Sequence, residues 1–272
     1  MARSPRILCL NTVVWCGYTF GVNQNENREV PVSVAAADQP LYAIVSGAQP
    51  GMIDDVLRTM QQIDDLLADE DGLKWFNRLY MMVTKDVDFS PPPGGWEDTD
   101  WLLRLDVVFA GFYFRAVAGF LDGSGNTPSS WCALMEARHQ PGIDRILFAL
   151  AGMNAHINHD LALALLETDR EMSLVPNDGS PQHVDYEAVN DLLNNVMPAA
   201  LQMLAVGILG LAAQDTGKIG RVLAFWNICK ARDLAWDFSN SLRDLSGAAL
   251  TVVLAAQDQM TGVAGRAILR CV

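Results

Sequence analysis

Apolar residues recur at intervals of three and four along most of the chain after residue 50. This spacing predicts α-helices, because residues three and four apart lie on one face of a helix. Stretches rich in glycine and proline, such as residues 89–95, separate the periodic segments and predict loops. The predicted helices cover residues 51–70, 73–87, 101–121, 128–138, 143–171, 186–195, 197–214 and 218–244, with a last helix after residue 247.

The first 50 residues lack this helical period. They contain the polar run of residues 23–27 and several prolines, among them Pro31 and Pro40, which favour an irregular arm with at most one short strand or turn. The helical period and short loops of residues 51–272 are typical of one helical domain. We therefore predict an all-α fold, a single-domain helical bundle preceded by an arm over residues 1–50.

The predicted helix over residues 143–171 is apolar on all sides, and such a helix is normally buried. Its middle is nevertheless polar. On an α-helix, His156, His159 and Asp160 would project from one face. Asn154 and Asn158 would project together from roughly the opposite face. Because buried polar groups need hydrogen-bond partners, we predict that this helix lies at the centre of the bundle with polar neighbours on two sides.

The composition excludes several kinds of partner. The chain has 32 acidic and 19 basic residues, which gives a formal net charge of -13. Nucleic acids and anionic membrane surfaces attract basic patches, so neither is expected to bind this chain. The acidic balance suits an enzyme that works in solution, and some of the carboxylates could hold divalent cations.

Two apolar segments invite comparison with export or membrane signals. No small-residue cleavage site follows the apolar part of residues 1–22, so we do not expect a signal peptide. The apolar run of residues 197–213 contains Pro198 and Gln202 and is too short for a clean span, so we predict a buried helix and no stable membrane insertion. The five scattered cysteines form no CxxC pair. They favour reduced thiols and a cytoplasmic location.

The segment of residues 156–160 (HINHD) could begin a metal site, since two imidazoles and a carboxylate would share a helical face. The alternative is a buried polar network that joins neighbouring helices. Asp106 is a second candidate, because it interrupts the apolar stripe of its own helix. A lone buried carboxylate is costly unless it binds a cation or an arginine. The sequence does not decide between these two roles.

Arginines next to aromatic residues form a third pattern. Arg232 lies between Trp226 and Trp236, and Arg78 lies between Phe76 and Tyr80. An arginine in such a setting can bind a phosphate and stack on a ring at the same time. The alternative is an arginine stem packed on core aromatics, with a carboxylate partner such as Asp106.

Other motifs carry little weight. Residues 64–70 (DDLLADE) resemble a loose aspartate-rich motif of class I terpene synthases, but their carboxylates fall on the polar face of a helix. Residues 190–194 (NDLLN) resemble the second metal motif of those enzymes, but Pro198 stands where the acidic ligand belongs. The chain lacks the sequence fingerprints of nucleotide-binding loops, serine hydrolases, HExxH zinc enzymes and di-iron bundles.

Residues 154–161 (NAHINHDL) resemble the signature of a microbial family of all-helical proteins of unknown function. Residues 76–84, 106–113 and 226–236 fit the same family in the same order, so the resemblance spans roughly residues 53–236. It extends to atypical fungal sesquiterpene cyclases of the humulene-synthase type. That part of the resemblance implies an enzyme of secondary metabolism, a lyase that cyclises an isoprenoid diphosphate and releases diphosphate.

We therefore expect a metal-dependent terpene cyclase. The cofactor would be a divalent metal, magnesium, held by Asp106, Asn158 and Asp160 as catalytic residues, with His156 and His159 as further ligands. The residues expected to bind the substrate are Arg78, Tyr80, Phe109, Tyr113, Trp226, Lys230, Arg232 and Trp236.

Two alternatives from other classes stay open. A metal-dependent phosphoesterase would use His156, His159 and Asp160 to hold zinc, manganese or iron. A non-enzymatic helical protein would use the same interior to bind a hydrophobic ligand. The expected partner of a terpene cyclase is a small isoprenoid diphosphate. The sequence leaves open whether the chain forms a homodimer.

Overall fold

The computed structural model describes residues 34–204 and 227–270, and all regular secondary structure in these two ranges is helical. The α-helices are α1 (Gln39–Gly47), α2 (Ile53–Leu66), α3 (Gly72–Phe89), α4 (Thr99–Leu121), α5 (Ser129–Ala137), α6 (Arg145–Ala155), α7 (Leu161–Met172), α8 (Pro181–Leu204), α9 (Ile228–Arg243) and α10 (Gly247–Leu269). They share one main hydrophobic core. The prediction of an all-α, single-domain bundle is confirmed.

The central helix is also confirmed. Helix α6, a π-helical turn (His156–Asp160) and helix α7 follow one another without a break. The side chain of Asp144 accepts a hydrogen bond from the backbone N–H of Ile146 and caps the start. At the other end Ser173 adopts a left-handed conformation with a φ of 56°. Every residue from 146 to 165 is buried except the half-buried Asn158, because other helices surround this one.

The π turn is the feature that the periodicity did not predict. The backbone N–H of Leu161 bonds to the carbonyl of His156, five residues back, instead of four. The extra residue widens one turn and rotates the side chains that follow it. The side chains of residues 156–160 therefore point in directions that a regular α-helix would not give them.

Glycines allow the helices to approach closely at two places. At Gly152 in α6, a Cβ atom would lie 2.4 Å from Cγ of the Phe76 ring in α3. At Gly262 in α10, a Cβ atom would lie 2.5 Å from Oγ of Ser129 at the start of α5. Both distances are shorter than van der Waals contact allows, so only glycine fits the present packing at either position.

Three boundaries differ from the sequence prediction. Helix α1 lies inside the predicted irregular arm, where Pro40 occupies its first turn instead of breaking it, and Leu41 and Val45 are buried. Helix α8 begins at Pro181 and continues without a break through Pro198 to Leu204, where we expected one helix to end at residue 195 and another to begin at residue 197. Helix α9 begins only at Ile228, after Asn227 caps it by accepting a hydrogen bond from the backbone N–H of Lys230. The predicted helical residues 205–226 lie outside the described residues.

In the part of the chain that the structure describes, no helix is both long enough and apolar enough to cross a membrane.

Candidate active site

A cluster of aromatic side chains encloses the imidazole of His156. The ring of Phe109 stacks on it, with centroids 3.5 Å apart and planes at 4°. The ring of Tyr80 approaches edge-on at 4.4 Å. Three further rings complete the enclosure, those of Phe76 at 5.7 Å, Trp131 at 5.9 Å and Tyr113 at 6.4 Å. His156 has no solvent exposure, and this burial holds its pKa well below the usual value.

His156 and Asp160 form one buried polar pair. Nδ1 of His156 lies 3.0 Å from Oδ2 of Asp160, and the indole N–H of Trp131 donates to the same oxygen at 2.8 Å. Burial raises the pKa of Asp160 well above its ordinary value, whereas the Trp131 hydrogen bond acts in the opposite direction. Within the described part of the chain, Nε2 of His156 has no hydrogen-bond partner. The surroundings therefore favour uncharged forms of both side chains.

The other polar residues of the π turn face different helices. Nδ1 of His159 lies 2.8 Å from Oε1 of Gln257 in α10. The side chain of Asn158 donates to Oδ1 of Asn154 at 3.0 Å, and Asn154 donates to the backbone carbonyl of Thr261 at 2.9 Å. The predicted pairing of the two asparagines is thus present. The predicted shared face of the two histidines and the aspartate is not, because the π turn directs His159 towards α10.

A small cavity lies on the other side of the aromatic cluster. It has a volume of about 40 Å³, and helices α3, α4, α7, α8 and α9 form its walls. Its polar lining residues are Tyr80, Thr84, Asp106 and Arg232, and its apolar lining residues are Val83, Val87, Leu102, Leu105, Phe109, Leu161 and Val189. An apolar cavity with a few converging polar groups is a typical place for a binding or active site.

Asp106 and Tyr80 bring unsatisfied polar atoms to this cavity. Oδ2 of Asp106 is buried and has no hydrogen-bond partner among the residues that the structure describes. Burial raises the pKa of Asp106 to about 7, although the charge of Arg232 acts to lower it and that of Asp88 to raise it. The hydroxyl of Tyr80 is buried without a well-formed hydrogen bond, and burial raises its pKa well above 10. Buried polar atoms without partners are rare and often mark functional sites.

Arg232 enters the cavity from α9 and is held by α8. Its Nε donates to Oδ1 of Asn190 at 2.8 Å, and its Nη2 donates to the backbone carbonyl of Tyr186 at 2.6 Å. The guanidinium carbon lies 4.2 Å from the centre of the Tyr186 ring. In the described ranges Arg232 forms no ion pair, and Oδ2 of Asp106 across the cavity stays without a partner.

A family model matches residues 53–271 of the chain and is described as a family of unknown function, DUF5995. The chain belongs to DUF5995. This confirms the predicted membership of a family of unknown function, and the description assigns no activity to it. No curated protein and no solved structure matches the chain. The likeness to sesquiterpene cyclases therefore remains a hypothesis about this DUF5995 protein.

The structure brings together four of the predicted site residues: Tyr80, Asp106, Phe109 and Arg232 all line the cavity. It does not bring the predicted metal ligands together. Asp106 lies in the cavity, His156 and Asp160 lie in the aromatic cluster, and His159 faces α10. Within residues 34–204 and 227–270, no three His, Cys, Asp or Glu side chains are grouped to hold a metal ion.

The remaining predicted substrate-binding residues have other partners. Arg78 forms an ion pair with Asp64 at 2.6 Å, and Lys230 is exposed next to Asp233. The hydroxyl of Tyr113 donates to Oδ1 of Asn77 at 3.3 Å inside the aromatic cluster. The indole N–H of Trp236 donates to Asp178 at 3.0 Å. Trp226 lies outside the described residues.

Sequence reasoning missed three residues of this site. Thr84 lies one turn after Tyr80 and could have been found from that spacing. Tyr186 and Asn190 are also four residues apart, but only the packing of α8 on α9 shows that they hold Arg232. Asn190 belongs to the segment of residues 190–194 that we discounted as a metal motif.

A second depression lies at the surface between α9, α10 and the π turn. This groove has a volume of about 440 Å³ and is lined by Asn158, Ala231, Leu234, Ala235, Asp237, Phe238, Ser241 and Gln257. Asn158, which we predicted to hold a metal with Asp106 and Asp160, lies here and does not line the cavity.

Proposed function

We propose that this protein is a metal-dependent lyase that ionises an isoprenoid diphosphate and cyclises its prenyl chain, with the Asp106–Arg232 cavity as its active site. One observation carries the proposal. A carboxylate and a guanidinium face one cavity without pairing, between walls that are otherwise apolar and aromatic. Such a site suits a ligand that carries both charge and a hydrocarbon chain.

The two charges match the two ends of a magnesium diphosphate complex. The cation would lie next to Asp106, and the anionic oxygens would lie next to Arg232. Magnesium in enzymes is commonly bound by one or two carboxylates together with substrate phosphates, so the single orphaned oxygen of Asp106 fits this role. His156, His159 and Asp160 do not fit it, because their side chains already have different partners.

The residues of the cavity account for the chemistry in a simple way. Asp106 would hold a magnesium ion, which would supply positive charge for the leaving diphosphate. Arg232 would bind a diphosphate oxygen, so that the bond between C1 of the prenyl chain and oxygen breaks with both electrons on the oxygen. The rings of Tyr80 and Phe109 would stabilise the carbocation during ring closure. Transfer of a proton from the cyclised cation to the released diphosphate completes the hydrocarbon.

The size of the cavity sets a condition on this proposal. A volume of about 40 Å³ holds roughly three water molecules or one phosphate-sized group, and not a prenyl chain. The substrate must therefore separate the apolar walls formed by Val83, Val87 and Val189, which lie on α3 and α8. We expect prenyl diphosphates to protect the protein against unfolding more than pyrophosphate does, since only they would fill the widened space.

The test is incubation with geranyl, farnesyl and geranylgeranyl diphosphate in the presence of magnesium, followed by gas chromatography with mass spectrometry. The proposal expects a cyclic hydrocarbon and one pyrophosphate per product, and no reaction after chelation of magnesium. Lys230→Ala is a suitable control, because Lys230 is exposed on the same helix as Arg232 and, within residues 34–204 and 227–270, forms an ion pair with Asp233 alone. If no substrate yields hydrocarbon, the proposal is wrong.

The groove supports a second candidate, a non-enzymatic protein that binds a hydrophobic ligand. Its volume of about 440 Å³ lies in the range of small-molecule sites, and Leu234 in its wall is exposed. This function predicts higher thermal stability with fatty acids or terpenes, no dependence on magnesium, and loss of the effect in Leu234→Asp. No arrangement of the described residues favours the phosphoesterase alternative, since His156 and His159 face different neighbours.

A further inference from the structure

The buried and half-buried arginines of this protein usually have an acidic partner. Arg138 pairs with Asp38 and Asp71, and Arg243 pairs with Asp169. These carboxylates neutralise charges that would be costly to bury alone. Arg232 is different. It is only 8% exposed, yet no acidic side chain in residues 34–204 and 227–270 forms an ion pair with it.

All the groups that hold Arg232 are neutral. They are the side-chain amide of Asn190, the backbone carbonyl of Tyr186 and the ring of Tyr186. Each fixes the orientation of the guanidinium without cancelling its charge. Nη1 has no hydrogen-bond partner among the described residues and remains available for a ligand.

The space beside Arg232 suits an oxyanion. The cavity has room for one phosphoryl group, that is, for one end of a pyrophosphate, and the hydroxyls of Tyr80 and Thr84 line it as further donors. Asp106 lines it too, and its carboxyl would hold the cation that accompanies the anion. The Tyr80 side chain is 4% exposed, and its hydroxyl has no well-formed hydrogen bond. It interacts with the side chain of Thr84, which acts to lower the pKa of Tyr80, but this contact lacks good hydrogen-bond geometry. The Tyr80 hydroxyl is therefore a second group, independent of Arg232, that can donate to a ligand or to water in the cavity.

We propose that the cavity is a phosphate-type oxyanion site in which Asn190 and Tyr186 act as positioning residues that keep the Arg232 charge free for the ligand. This inference deepens the proposed function, on which it rests, because it assigns the head group of the substrate to these residues. It can nevertheless be tested separately from the lyase activity, because it concerns binding of the anion alone. Inorganic pyrophosphate should bind without any prenyl chain.

Asn190→Asp tests this role directly. An aspartate keeps an oxygen acceptor for Nε of Arg232 in the same place, but its negative charge neutralises the guanidinium. The variant loses the hydrogen bond that the Asn190 amide donates to Oε2 of Glu187 at 3.2 Å, and thermal melting measures the effect of that loss on the fold. If Asn190 only supports the fold, the folded variant should bind pyrophosphate like the wild type, because the hydrogen bond to Arg232 is kept. If Asn190 keeps the charge of Arg232 free, the affinity for pyrophosphate should fall.

Asn194→Asp is the matched control. It makes the same change one turn later on α8, at an exposed side chain that does not contact Arg232. Isothermal titration with inorganic pyrophosphate, with and without magnesium, is run on the wild type and both variants. Thermal melting shows that all three are folded.

We expect saturable binding by the wild type and by Asn194→Asp, and an affinity for pyrophosphate at least about tenfold lower in Asn190→Asp, as for the loss of one charge-assisted hydrogen bond. No saturable binding by the wild type, or equal affinity in Asn190→Asp, overturns the proposal. Pyrophosphate binding with this pattern but no hydrocarbon from prenyl diphosphates leaves the oxyanion site in place and refutes only the lyase.

Discussion

Tyr186 and Arg232 each donate a hydrogen bond to the backbone carbonyl of the other, and both bonds are 2.6 Å long. The guanidinium also stacks on the tyrosine ring. This reciprocal pair joins α8 to α9 next to the cavity. It places the charge of Arg232 at a fixed position without an ion pair, which is the basis of the site proposed above.

Tyr186→Phe should weaken the contact between α8 and α9. The variant keeps the ring but removes the hydroxyl that donates to the carbonyl of Arg232, so that this carbonyl loses the hydrogen bond that it accepts from outside its own helix. We expect a loss of about 1–3 kcal/mol in the free energy of unfolding, measured by urea denaturation. Tyr42→Phe is the control, because the Tyr42 hydroxyl makes no hydrogen bond within the described residues. Equal stability of both variants and the wild type would refute the importance of the Tyr186 hydroxyl.

Asp106→Asn should change how stability depends on pH. The pKa of Asp106 is raised to about 7 by burial, so between about pH 4 and 7 the folded carboxyl keeps a proton that the unfolded one has released. The stability of the wild type should therefore fall as the pH rises through this window and level off above it. Asparagine cannot ionise and avoids this loss.

The Asp106→Asn variant should consequently be more stable than the wild type at pH 8, by up to a few kcal/mol at about 1.4 kcal/mol per pKa unit, and similar to it at pH 4. The charges of Arg232 and Asp88, which act on Asp106, are unchanged in the variant. Urea denaturation across this range provides the measurement. If the free energy of unfolding depends on pH in the same way in the two proteins, burial does not raise the pKa of Asp106.

Asp160→Asn should leave the fold nearly intact. Oδ1 of the asparagine can replace Oδ2 of Asp160, which makes both contacts, and can accept from the indole N–H of Trp131 and from an N–H at Nδ1 of His156. Burial raises the pKa of Asp160, so a neutral side chain suits its surroundings. Asp160→Leu, by contrast, leaves two buried groups without partners, at about 1–3 kcal/mol each. Urea unfolding measures the stability of both variants. If Asp160→Asn and Asp160→Leu lose the same free energy of unfolding, Asp160 does not act as the hydrogen-bond partner of Trp131 and His156.

Gly152→Ala should destabilise the centre of the bundle. Its Cβ atom would collide with the buried Phe76 ring, and overpacking of this kind typically costs about 1–3 kcal/mol. Gly47→Ala is the matched helical control, because nothing lies within 4 Å of its Cβ position. A Gly152→Ala protein that melts at the wild-type temperature would show that α3 and α6 can move apart freely.

Much of the fold follows from the hydrophobic pattern. The central helix was predictable because it is apolar on all sides, and the bundle was predictable from the 3.6-residue period. The π turn was not, since a change from four-residue to five-residue hydrogen bonding leaves no mark in the pattern. That single turn separates His159 from His156 and Asp160 and removes the predicted metal site.

The site was predictable only in part. Asp106 was recognisable as an acid within an apolar stripe, and Arg232 as a cation between aromatic residues. Their relation was not, because an ion pair between them was as reasonable as the open cavity that the structure contains. The contacts of Arg232 with Tyr186 and Asn190 join residues more than forty positions apart, and they depend on how α8 packs against α9.

The measurement closest to the central claim is pyrophosphate release from farnesyl diphosphate with magnesium, followed in parallel for the wild type and Asp106→Asn. We expect turnover by the wild type and a loss of about a hundredfold or more in the variant, because the carboxylate that would face the cation is gone while the fold is retained. No release by the wild type, or equal rates for the two proteins, would contradict the assignment of the Asp106–Arg232 cavity as the active site.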